Sequence, residues 1–116
     1  MDHSKLMDHS KFDALEVSIQ VIRALRTVVD RLREKDAALA DQVTRAASSV
    51  AANLGEGRRR TGKDRAYRFR IADGSANEVK VHLRVALAWG WLEQEDVAEA
   101  LALVDRVLAM TWRLAR

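Results

Sequence analysis

Residues 42–60 read QVTRAASSVAANLGEGRRR. Small side chains crowd the first two-thirds of this stretch, and three consecutive arginines close it. At helical spacing, Leu39, Val43, Ala46, Val50 and Leu54 fall on one stripe. A narrow polar stripe runs beside it, made of Gln42, Ser49, Asn53 and Glu56. Ala46, Ala47, Ser48, Ser49, Ala51 and Ala52 would let a neighbouring helix approach closely. The stretch therefore predicts a tightly packed helix that ends in concentrated positive charge.

The same period runs outward in both directions. From Phe12 to about Glu34, Leu15, Val17, Ile19, Val21, Ile22, Leu25, Val28, Val29 and Leu32 recur at helical spacing. Asp36 is a good N-cap for the second helix, and Gly55 or Gly57 supplies its stop. A third helix is expected from Thr61–Lys63 to Gly90. A fourth starts around Asp96 and carries Val97, Leu101, Val104, Leu108 and Trp112 on one stripe. The tandem MDHSKL/MDHSKF reads as a duplicated start, with Met7 a plausible alternative initiator. Residues 1–11 are expected to be disordered or part of that duplication, and residues 12–116 to form a single domain.

Composition agrees. The chain has 116 residues, enough for one domain with a modest core, and its apolar fraction of 48% excludes a disordered chain. Charged residues make up 32%, and no apolar run approaches the roughly 18 residues needed to span a bilayer. No secretory signal is visible, so the cytoplasm is the expected compartment. Cysteine is absent, which excludes disulfides and thiolate metal sites. Proline is absent too, and only five glycines occur, so long helices are favoured. Short connections between helices of about 20 residues make neighbours antiparallel. The expected fold is an all-α, up-down-up-down four-helix bundle.

The third helix carries two apolar faces. One holds Phe69, Ala72, Ala76, Val79, Leu83 and Leu87; the other holds Tyr67, Ile71, Val81, Val85 and Trp89. A second face of this kind usually meets another subunit, so self-association is expected. A thicker monomer core with some exposed Val and Ile is the alternative.

Ser75 and Glu78 lie between those faces and would meet the polar stripe of the second helix. Gln42, Ser49, Asn53, Glu56, Ser75 and Glu78 are expected to form a structural polar network that fixes helix register. The sharper alternative is a catalytic carboxylate pair, Glu56 with Glu78. No His, Cys or second base is placed to complete a mechanism, so no catalytic residue is assigned.

These residues carry a family likeness. QVTRAASSVAANLGEGRRR, followed by FRIADGSANEVKVHLRVALAWGWL, resembles the four-helix-bundle proteins encoded in 23S rRNA intervening sequences of bacteria. The pattern is matched at Gln42, Arg45, Ala46, Ser49, Asn53, Glu56, Gly57, Ile71, Ala72, Gly74, Ser75 and Glu78, and covers residues 12–112. The accessory protein of diversity-generating retroelements, a partner of a reverse transcriptase, is similar in fold. The resemblance implies a ring-like homopentamer, non-enzymatic and associated with nucleic acid.

Three kinds of chemistry fit the sequence poorly. Gly57 to Lys63 fits the front of a phosphate-binding P-loop, but Asp64 follows where Mg²⁺ needs Ser or Thr, and a helix precedes it instead of a strand. Glu78 and His82 form one i, i+4 pair with no second, which is too little for a di-iron bundle, and no metal or cofactor is expected. Trp89, Trp91 and Trp112 could stack on bases, yet Trp91 and Trp112 read as packing residues, and no Trp is assigned a nucleic-acid contact.

The basic segment remains. Arg58, Arg59, Arg60, Lys63, Arg65, Arg68 and Arg70 face one acid, Asp64, giving +6 locally. The whole chain is only +3, so the rest sums to −3. Lys80 and Arg84 extend this edge along the third helix. Arginine forks suit phosphate, so these nine residues are the expected RNA- or DNA-binding surface. A solvated charged face is the alternative reading. A second function is also open, in which the ring acts as a scaffold for a reverse transcriptase.

Overall fold

The computed structural model describes residues 3–116, with side chains from Ala14 onward. Met1 and Asp2 of the duplicated start lie outside the described residues. Four helices follow in order: α1 His3–Arg33, α2 Ala37–Arg58, α3 Gly62–Trp89 and α4 Gln94–Leu114. The described residues contain no strand. Helix α1 thus begins at His3, nine positions before the expected Phe12.

Local chemistry explains the boundaries. Asp36 is the N-cap of α2, and its Oδ1 accepts from the Leu39 N–H at 2.9 Å. That bond satisfies one of the donors that a helix start leaves unpaired. Helix α2 passes through both glycines expected to stop it and ends at Arg58. Gly90 closes α3 at φ 77°, a left-handed conformation that favours glycine. Helix α4 starts two residues earlier than expected. Glu93 takes the N-cap position, and its N–H donates to Asp96 Oδ2 at 2.8 Å.

Each helix packs on two others: α1 on α2 and α4, and α3 on the same pair. Together they make a compact helical bundle. Val17, Val21, Leu25, Val28 and Leu32 of α1 meet Val43, Ala46, Val50 and Leu54 of α2 in one core. Phe69, Ala72, Ala76, Val79 and Leu83 of α3 are buried there, as the sequence predicts. Leu39 and Leu87 are only partly buried at its edge.

Helix α4 is rotated from expectation. Its buried positions are Val97, Ala100, Val104, Val107 and Thr111, while Leu101 and Leu108 are partly buried. Trp112, expected on the core stripe, is 55% exposed. Thr111 holds the inward position because its Oγ1 donates to Asp73 Oδ1 of α3 at 2.8 Å. A buried hydroxyl needs such a partner, and Asp73 supplies it.

The second apolar stripe of α3 faces outward. Tyr67, Val81, Val85 and Trp89 are exposed, and Ile71 is half-buried.

Candidate nucleic-acid interface

Helix α2 ends in charge at Arg58, and the turn to α3 is only three residues long, Arg59 to Thr61. The Arg59 and Arg60 N–H groups donate to the Glu56 and Gly57 carbonyls, each at 3.1 Å. Gly62, at φ 59°, lets the chain turn into α3. Gly57 lets the two helices meet closely: a Cβ there would collide with the Phe69 ring.

Arg60 braces this turn. Its guanidinium reaches Glu56 Oε2 at 3.3 Å and Asp64 Oδ2 at 3.1 Å. Arg65 Nε donates to the Arg60 carbonyl at 2.7 Å. All three side chains of the Arg60 cluster are about half exposed, so each pair is worth only ~0–1 kcal/mol. An incoming phosphate could therefore compete for Arg60.

The nine cations divide by their partners. Lys80 Nζ is tied to Asp105 Oδ1 of α4 at 2.8 Å, and Arg68 Nη1 turns toward Asn53 Oδ1 at 3.5 Å. Arg59, Lys63, Arg70 and Arg84 are exposed and make no ion pair or side-chain hydrogen bond among the described residues. Arg58 is exposed beside them. Pairing of this kind depends on residues far apart in the chain, which no local charge count reveals.

The polar network is smaller than expected. The Ser49 and Ser75 hydroxyls join α2 to α3 at 2.9 Å. Asn53 Nδ2 donates to the Ser49 carbonyl at 2.9 Å and to its Oγ at 3.2 Å. Glu56 belongs instead to the Arg60 cluster, where a partner one turn away is nearer than α3. Gln42 and Glu78 are exposed on the solvent flanks of their helices, with no hydrogen bond to the network. No bond links Glu56 to Glu78 among the described residues.

Arg68 is the network member that sequence reading assigned elsewhere. Its Nε is buried and meets no acceptor among the described residues, and the same holds for His82 Nε2 about four turns along α3. Asp73 was missed as well. Its signal was an acid on the apolar side of α3, four residues after Phe69 and three before Ala76.

The remaining candidates take the following places. Trp89 is 68% exposed and stacks on Trp91, with centroids 5.7 Å apart. No group of three or more His, Cys, Asp or Glu among the described residues could hold a metal ion. No helix there is long and apolar enough to cross a membrane.

The family model of the 23S rRNA-intervening sequence protein matches residues 6–113. The chain belongs to that family. Among solved structures, it is similar to a protein of unknown function from the S23 ribosomal protein family of Bacteroides thetaiotaomicron. The TM-score is 0.76 at 17% identity, over 92% of this chain and 98% of that one. At that identity the likeness shows the fold. Among curated proteins none matches the chain. In this chain the motif residues separate by role. Ala46 and Ala72 lie in the core, Gly57, Ser49, Asn53 and Ser75 hold α2 to α3, and Gln42 and Glu78 face solvent.

Proposed function

We propose that the protein binds RNA or DNA through phosphate contacts, without catalysing a reaction, as a ring-like homo-oligomer of antiparallel up-down-up-down bundles. One observation carries the reading: Arg59, Lys63, Arg70 and Arg84 are exposed with no ion pair or side-chain hydrogen bond among the described residues, and Arg60 is only weakly held. Cations left without acids favour a polyanion. The family name, which refers to an rRNA intervening sequence, agrees with an RNA ligand. The short turns and the order of the contacts Ser49–Ser75 and Asn53–Arg68 favour the antiparallel arrangement.

The exposed stripe Tyr67, Val81, Val85 and Trp89 supports self-association. The subunit number, five, rests on resemblance to the intervening-sequence proteins. A ring would repeat the basic edge and convert weak contacts into avidity. The cytoplasm is the matching compartment. Filter binding across a salt series tests the reading. A steep fall in affinity supports it, and flat salt dependence or no binding at low salt overturns it.

The same exposed stripe suits a second reading, an accessory subunit for the reverse transcriptase of a diversity-generating retroelement. Gene neighbourhood discriminates. A reverse transcriptase with a repeat-flanked template nearby favours the accessory role, and a frame inside an rRNA gene favours the first.

A further inference from the structure

We propose that Trp112 is a stacking platform for an unpaired base, so that the basic surface takes single-stranded in preference to duplex nucleic acid. The proposal rests on the phosphate-binding reading and adds the ligand's strandedness.

Thr111 occupies the buried position on α4, held by its bonds to Asp73 Oδ1 at 2.8 Å and the Leu108 carbonyl at 3.3 Å. The next residue is thereby turned out of the core, and Trp112 is left 55% exposed. One ring face carries a cation, with the Arg116 guanidinium carbon 4.3 Å from the centroid. From Arg106 to Arg116 the chain holds three arginines and no acid. Arg106 and Arg113 are exposed and have no ion pair among the described residues.

Two contacts fix the level of this ring against α3. Asp105 pairs with Lys80, and six residues later Thr111 pairs with Asp73. Trp112 is therefore level with the α3 turn that contains Arg70, an exposed cation with no ion pair among the described residues. An aromatic face that already carries Arg116 thus stands level with a cation of the neighbouring helix.

The chemistry selects the ligand. Arginines without acids call for phosphate, and an exposed indole beside them calls for a flat π face. A single strand offers both, because its bases can splay out and stack. A duplex keeps its base faces inside the helix and presents only phosphates and edges. The stacked pair Trp89–Trp91 lacks this setting, since the chain beyond it carries Glu93, Glu95 and Asp96.

The experiment uses the full chain, a labelled mixed-sequence strand, and the duplex of that strand with its complement. Trp112→Leu should weaken single-strand binding about tenfold and leave duplex binding within about twofold. Its salt slope should match the wild type, because stacking releases no counterions. Trp112→Phe, which keeps an aromatic face, should retain most of the single-strand affinity and guards against a folding defect. Equal loss on both ligands, or no loss on either, overturns the stacking site and leaves the phosphate reading standing. Failure of the wild type to bind either ligand overturns both. A change in oligomer mass for Trp112→Leu by light scattering assigns the ring to a subunit contact and also overturns the proposal.

Discussion

Gly57 of α2 lies so close to Phe69 of α3 that a Cβ built on it would stand 2.6 Å from the ring's Cε1 and 2.8 Å from Cδ1. Phe69 is itself only 1% exposed and has no room to retreat. The glycine is therefore a packing requirement at the point where the arginine-rich turn begins. Gly57→Ala should destabilise the fold by about 1–3 kcal/mol. Gly55, two residues away, has nothing within 4 Å of a Cβ, so Gly55→Ala should instead stabilise by about 0.5–1 kcal/mol. Urea unfolding of the two variants checks the contrast, and equal effects would refute it.

The open cations should carry more of the binding than the braced one. Each phosphate contact removed is expected to lower the salt slope by about 0.9 on a duplex. Replacing Arg59, Lys63 and Arg70 with Ser should thus flatten the slope by about 2.7 per subunit, across all sequences alike. Arg60→Ser should change it less, because Arg60 already holds Glu56 and Asp64. Titration of each variant at four salt concentrations measures both.

Val81 and Val85 are 46% and 38% exposed on the outer stripe of α3. Burying the remainder of each against a second subunit would contribute about 1 kcal/mol. Changing both to Lys should release helical monomers, since stranded charges add to the lost burial. Light scattering with circular dichroism reads mass and fold together. A monomer mass for the wild type at micromolar concentration would end the oligomer reading.

Asn53 joins Ser49 to Arg68 across the α2–α3 contact. Asn53→Ala should cost about 1–2 kcal/mol, because it strands an arginine whose Nε is already buried without a partner. Adding Arg68→Met should recover part of that loss by removing the stranded charge. A double-mutant cycle by thermal unfolding tests the coupling, and simple additivity would show that the two residues act independently.

The α2 and α3 core stripes were legible because Val43, Val50 and Leu54 in α2, and Phe69, Val79 and Leu83 in α3, are large apolar residues recurring at helical spacing. Helix α4 was not. Val97, Leu101, Val104, Leu108 and Trp112 satisfy helical spacing as well as Val97, Ala100, Val104, Val107 and Thr111 do. Hydrophobicity favours the first set, and the Thr111–Asp73 bond between helices decides for the second. The charge cluster could be read by counting. Which of its members are engaged could not, because Lys80 finds Asp105 twenty-five residues away and Arg68 finds Asn53 on the preceding helix.

Arg31, in the last turn of α1, pairs with Asp96 in the first turn of α4, across 65 residues. During synthesis α4 emerges after the other three helices of the bundle, yet α1 and α3 both depend on it for cover. Until Val97, Val104 and Val107 arrive, the nascent three-helix chain holds an open apolar trough lined by α1 and α3. Folding of the bundle therefore cannot finish helix by helix, and its closing step is a long-range docking of α4 onto α1 and α3.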